Sequence, residues 1–203
     1  MVVNAIEFPF AIRSYPIVFT TIAPRTAVAV LGLSDSENLF LSEDGAWAAD
    51  CYVPAYVRRY PFILMEQPGS TELLLCIDEA SGLVGAGGER PFFADGKPTA
   101  LVQEALTFCG EFQAQHKATV EFVQALAEHK LLVPNEARVT MNSGQQLTLR
   151  GFDVIDEAKF NALPDEIFLD WRRRGWLHLV YCHLMSMANW GRLVDRHAKH
   201  PSS

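Results

Sequence analysis

PTALVQEALTFCGEFQAQHKATVEFVQALAEHK, residues 98–130, is where the chain changes character. Leu101, Ala105, Phe108, Phe112, Thr119, Phe122 and Leu126 recur at steps of three or four, or sums of two such steps. That spacing places them on one face of an amphipathic helix turned toward a core. Pro98 suits the helix start, because its fixed φ is helical and its missing N–H is not needed there. Val133-Pro134 closes the segment, and the lapse in apolar spacing predicts a break near His116.

Upstream the chain reads as strands and turns. Pro16–Ile22 (PIVFTTI) and Thr26–Leu33 (TAVAVLGL) are rich in β-branched residues and are separated by the turn Ala23-Pro24-Arg25. Asn38–Leu41 runs into Ser42-Glu43-Asp44-Gly45, where Asp-Gly favours a tight turn. A second apolar pair followed by Asp-Gly stands at Phe92–Thr99, a single echo that does not make a repeat. Tyr60–Glu66 (YPFILME) and Thr71–Asp78 (TELLLCID) flank Gln67-Pro68-Gly69-Ser70, and two apolar runs joined by Pro-Gly predict an antiparallel hairpin.

Downstream, Leu147–Ile155 reads as a strand and Asp156 caps a short helix through Leu163. Further helices are predicted from Asp165 to Arg174 and from Trp176 to about Arg196. The last carries two apolar stripes, Leu177, Val180, Tyr181, Leu184 on one and Trp176, His183, Met187, Trp190 on the other, which predicts burial on two sides. Strands early and helices late predict an α+β fold, with mainly antiparallel strands in the N-terminal half packed with C-terminal helices. No linker interrupts the pattern, so residues 1–203 are expected to form a single domain.

Composition narrows the function classes. The 203 residues are 49% apolar and 20% charged, with thirteen Phe and four Trp, as in ordinary globular proteins. A net charge of −7 leaves no basic excess to neutralise phosphates, which excludes a general nucleic-acid role. Arg172-Arg173-Arg174 before Gly175 reads as a helix end, where cations meet exposed carbonyls. No apolar run reaches the ~18 residues of a membrane helix, so no membrane insertion is expected. Glu7 and Pro9 precede the first cationic side chain, Arg13, which is the wrong order for an export signal and predicts a cytoplasmic location. Cys51, Cys76, Cys109 and Cys182 form no C-x-x-C pair; Cys76 and Cys109 read as small buried hydrophobes.

Gly82, Gly85, Gly87 and Gly88 invite a phosphate-loop reading, which fails: no G-K-[ST] follows, and Glu89-Arg90-Pro91-Phe92 stands where a helix would have to open. Among the histidines only His197 and His200 have i, i+3 spacing; no metal site or cofactor is expected, and His183 reads as a satisfied core histidine. G-x-S-x-G and S-x-x-K are absent, which tilts the reading away from an enzyme. The densest polar constellation is Tyr56, Arg58, Arg59 and Tyr60 with Asp78 and Glu79. The hairpin should bring Arg58 or Arg59 near Asp78 or Glu79, either as an ion pair at a strand end or as a ligand pocket rimmed by the glycine-rich segment.

Several blocks together resemble the SapC family of bacterial proteins: Tyr15-Pro16-Ile17-Val18-Phe19, Leu31-Gly32-Leu33 with Glu37-Asn38-Leu39-Phe40, Asp44-Gly45-x-Trp47, and Tyr52-Val53-Pro54-Ala55-Tyr56-Val57-Arg58-Arg59-Tyr60-Pro61-Phe62. Cys76-Ile77-Asp78-Glu79, Phe93-x-Asp95-Gly96, Leu149–Ile155 with Asp156-Glu157, and Ser186-Met187-Ala188-Asn189 extend the likeness over nearly the whole chain. Family members often carry more residues before the Tyr-Pro-Ile-Val-Phe block than the fourteen here. The resemblance implies association with a crystalline surface layer, hence a cell-surface location as the alternative to the cytoplasm, and it brings no catalytic residues. The expectation is an accessory or interaction protein with a protein partner, the Tyr52–Phe62 block having the composition of a binding hot spot. The alternative is an intracellular enzyme or small-molecule binder at Arg58, Arg59, Asp78 and Glu79.

Overall fold

The computed structural model describes residues 1–199 except 35–36, 68, 70–72, 86 and 141–145. In chain order the elements are a 3-10 turn at Ala5–Glu7, α1 (Phe8–Ala11), β1 (Ile17–Thr20), β2 (Ala27–Ala29), α2 (Ala55–Arg58), β3 (Phe62–Glu66) and β4 (Leu73–Ile77). A 3-10 turn at Glu79–Ser81 leads to β5 (Phe93–Ala94), β6 (Lys97–Pro98), α3 (Ala100–Glu128), β7 (Leu132–Thr140) and β8 (Gln146–Ile155). The chain ends in α4 (Glu157–Asn161), α5 (Asp165–Arg174), α6 (Trp176–Ser186) and α7 (Asn189–Lys199). Antiparallel sheets combined with a helical C-terminal region make this an α+β fold.

The principal sheet has the order β2-β1-β8-β7, so the first strand lies beside the last. Register pairs Ile17 with Ala29 on one side of β1 and Phe19 with Asp153 on the other. Side chains alternate across the pleat. Ile17 and Phe19 therefore enter the main core with Phe8, Phe122, Leu126, Phe160 and Trp171. Val18 enters a second cluster with Phe152 and Val154, against which Met187 and Trp190 pack. Both faces of β1 are covered, which is why its sequence is apolar without alternation. Each fully buried large side chain contributes roughly 1.5–3 kcal/mol.

Four expectations are corrected. Leu132–Thr140 is a strand, not the tail of a helix; Pro134 is tolerated because β7 is the sheet's edge, where a missing N–H forfeits no ladder bond. Helix α3 runs unbroken past His116, whose ring stacks on Phe112 at 6.3 Å. Its cap is Thr99, while Pro98 belongs to β6. The C-terminal helix is two helices, parted at Met187-Ala188. There the Ser186 hydroxyl donates to the His183 carbonyl at 2.6 Å, and the turn tightens to i→i+3 bonds such as Met187 N–H to Leu184 O.

The hairpin forms as expected, with Phe62 opposite Ile77 and Glu66 opposite Leu73. Pro68 and Ser70 of its predicted turn, Thr71 and Glu72 of its second strand and His200 of the histidine pair lie outside the described residues. The two Asp-Gly sites both close antiparallel pairings, Leu41 with Trp47 and Ala94 with Lys97. At the second, Asp95 and Gly96 both have positive φ, 51° and 72°, the geometry of a type I′ turn. Cys109 is buried as read, whereas Cys76 is half-buried, and all four thiols are free.

One polar seam ties the two ends of the chain together. His183 is fully buried; its Nε2 accepts from the Ile155 N–H at 3.0 Å, and its Nδ1 lies 2.8 Å from the Ile17 carbonyl. Because Nε2 accepts, the proton sits on Nδ1 and is donated to Ile17. Ser186 Oγ accepts the Ile17 N–H at 3.0 Å, and Asn189 Nδ2 donates to the carbonyls of Ile12 at 2.7 Å and Tyr15 at 3.0 Å. Burial holds the His183 ring neutral, its pKa pulled down to about 4.

Candidate binding cleft at Arg58

Glu7 is a buried carboxylate near the start of the chain. Its Oε2 accepts the Asn4 N–H at 2.8 Å; its Oε1 accepts the Ala55 N–H at 2.7 Å and the Tyr52 hydroxyl at 2.9 Å. The Ala55 amide is the first of α2, an end that requires an acceptor. Glu7 thus fixes α2 against the N-terminal segment. Tyr52 in turn accepts from Arg58 Nη2 at 2.9 Å, while Arg58 Nε donates to the Val53 carbonyl at 3.1 Å. Burial and then the Glu7 carboxylate push the Tyr52 hydroxyl up to about 12, so it stays protonated as the donor to Glu7.

This relay sets Arg58 beside a cleft of about 530 Å³ between the N-terminal segment, α2 and α3. Ile6, Phe10, Tyr52, Phe108 and Phe112 are among its walls. The Arg58 guanidinium lies 5.3 Å from the Phe108 ring centre and 5.6 Å from that of Tyr52. Phe10 stacks on Tyr52 at 5.6 Å. Among the described residues, three of the five guanidinium N–H groups have no protein acceptor, next to aromatic walls.

The six residues singled out in the sequence fall into two groups. Arg59 lies over Tyr56 at 4.3 Å and over Phe112 at 4.7 Å, a cation held by ring faces. Burial, and secondarily the Arg59 charge, lower the affinity of the adjacent His116 for a proton. At the hairpin's end it is Tyr60 that meets Asp78, donating to Oδ2 at 2.9 Å, and this bond raises the Tyr60 pKa. Asp78 Oδ1 accepts the Ala80 N–H at 3.0 Å and so caps the following 3-10 turn. Among the described residues neither Arg58 nor Arg59 forms the expected ion pair with Asp78 or Glu79, because both guanidinium groups turn toward α3 and its aromatic side chains. Of the six, only Arg58 lines the cleft.

The glycine-rich segment does not rim this cleft. With Pro61, Phe62, Phe92 and Leu101 it borders a separate hollow of about 660 Å³. Sequence reasoning missed Glu7, though one signal existed: it is a carboxylate inside an otherwise apolar run, AIEFPF.

A family model for SapC matches residues 1–193 of the 203-residue chain. The chain belongs to the SapC family. No curated protein matches it, and no solved structure does. Mapped onto the fold, the blocks that carry the SapC resemblance converge on shared contacts. Tyr15 donates its hydroxyl to the Tyr52 carbonyl and accepts the Trp47 indole N–H at 2.9 Å, joining three blocks in one place. Burial raises the Tyr15 pKa well above its ordinary value, keeping that donor protonated. A Cβ on Gly32 would collide with the Glu37 carbonyl, which explains glycine in the Leu-Gly-Leu block. Ser186 and Asn189 of the last SapC block are the seam residues described above. No helix of the described residues is long and apolar enough to cross a membrane.

Proposed function

We propose that this chain is an accessory or interaction protein of the SapC type that binds a protein partner at the Arg58 cleft, the partner belonging to the bacterial surface layer or envelope. The observation that carries this reading is a preset guanidinium beside an aromatic wall, flanked by Ile6 and Phe10, each 57% exposed. Arg58 loses little rotamer freedom on binding, since Tyr52 and Val53 already hold it. Arginine and tyrosine beside apolar anchors are the composition of interface hot spots. The chemistry fits a partner presenting an acidic group next to an apolar side chain. Family membership supports the envelope association.

A volume of about 530 Å³ also lies inside the roughly 300–1,000 Å³ range of small-ligand sites and favours, as a second reading, a small molecule with a carboxylate. In-cell cross-linking in the native bacterium, with capture of the tagged full chain, tests both. The expected result is one dominant cross-linked protein, reduced at least ~10-fold by Arg58→Glu with an unchanged melting midpoint. Recovery of the same proteins by wild type and variant overturns the proposal. A ligand seen by native mass spectrometry and lost in Arg58→Glu moves the conclusion to the second reading.

A further inference from the structure

A second concave region, sharing no residue with the Arg58 cleft, lies where α7 crosses the N-terminal segment. It encloses about 420 Å³, and Arg13, Arg192, Arg196 and Lys199 face it together with Asp50 and Asp195. Four cations against two carboxylates give a local charge of +2 in a chain whose net charge is −7. Such a reversal of sign in a hollow concentrates anions.

Two of the guanidinium groups are already in place. Arg192 Nη1 donates to the Arg13 carbonyl at 2.7 Å. Arg196 Nη2 donates to Cys51 Sγ at 3.0 Å and reaches Asp50 at 3.4 Å, with its guanidinium 4.6 Å from the Phe40 ring centre. Among the described residues Arg13, Arg192 and Lys199 form no ion pair. Most of the donors on these four side chains are therefore unspent.

Helix-end electrostatics explain only part of the cluster. Arg196 and Lys199 stand in the last turn of α7, where cations are favoured. Arg192 stands in the first turn, where the dipole disfavours a cation, and Arg13 comes from a different segment altogether. Two forked guanidinium groups plus two flexible cations match the oxygens of a doubly charged phosphoryl group. Asp50 and Asp195 would repel the same anion unless the rest of the ligand turned hydroxyl donors toward them.

We infer that this hollow binds a small hydroxylated phosphate monoester, its phosphoryl group on Arg13, Arg192, Arg196 and Lys199 and its hydroxyls on Asp50 and Asp195. Isothermal titration of the full chain with glycerol 3-phosphate, inorganic phosphate and glycerol, each at ionic strength matched with sodium chloride, tests it. Glycerol 3-phosphate is expected to bind, inorganic phosphate to bind more weakly and glycerol not to bind. Arg192→Gln/Arg196→Gln should weaken glycerol 3-phosphate by at least ~10-fold, as for lost charge-assisted bonds. Arg13→Gln/Lys199→Gln alters only exposed side chains and should weaken it similarly even if the first pair disturbs folding. Heats equal to those of sodium chloride, or undiminished binding in Arg13→Gln/Lys199→Gln, overturn the site. Equal affinity for the two phosphates overturns the assignment of Asp50 and Asp195.

Discussion

The seam between β1 and α6 and the hairpin β3–β4 treat the same kinds of residue in opposite ways. In the seam, polar side chains are buried and bond to backbone: His183 and Ser186 to Ile17 and Ile155 of the sheet, Asn189 to Ile12 and Tyr15 ahead of β1, and the Ser186 hydroxyl to its own helix. In the hairpin, apolar side chains are exposed: Ile63, Met65 and Leu74 share its outer face, while Phe62, Leu64 and Leu75 turn the other way. Buried polar groups must be matched one for one, so the seam fixes a unique register. The outer face of the hairpin has no such constraint.

The largest way to break the seam is His183→Phe, which leaves the Ile17 carbonyl and Ile155 N–H buried without partners. A loss of about 3–4 kcal/mol is expected in a denaturant titration. Next comes acidity. The unfolded chain takes up a proton on this histidine as pH falls through its ordinary value, whereas the folded chain resists until about 4. Stability from this group is thus complete above ~6.5 and drains away toward pH 4, by about 3 kcal/mol in full. The difference between wild type and His183→Gln, measured across that window, should carry this slope; equal slopes would show that His183 does not cause it. The smallest effect sharpens the contrast from the other side: Ile63→Thr/Met65→Thr should change unfolding free energy by less than ~1 kcal/mol, because the side chains removed face solvent.

Legibility followed locality. The hairpin, the Asp165–Arg174 helix and its stop at Gly175 were readable because each is specified by its own residues, two apolar runs flanking a Pro-Gly pair or an αL glycine. His183 was readable as a satisfied core residue, though not its partners. Strand β7 was hidden by Pro134, whose meaning depends on which strand forms the edge, a property of the assembled sheet. The unbroken α3 was hidden because polar Gln115 and His116 fill the step between Phe112 and Thr119, yet the His116 ring stacks on Phe112 and the Gln115 carbonyl accepts the buried Thr119 hydroxyl, which itself accepts the Ala5 N–H at 2.8 Å. At the cleft, composition singled out Arg58, which lines it, but paired that residue with acids at the hairpin's end. The true relay runs through Glu7, forty-eight residues from Ala55, and no local rule reaches that far.

Placing β1 between β2 and β8 has a consequence for synthesis. A ribosome delivers β1 and β2 long before residues 146–189 exist, so the first strand waits with one neighbour and one bare edge. Closure requires pairing across nearly the whole chain, which is slow and leaves sticky edges open in the interval. Nascent chains halted before β8 should therefore be the species that chaperones hold, and release should coincide with the emergence of α6.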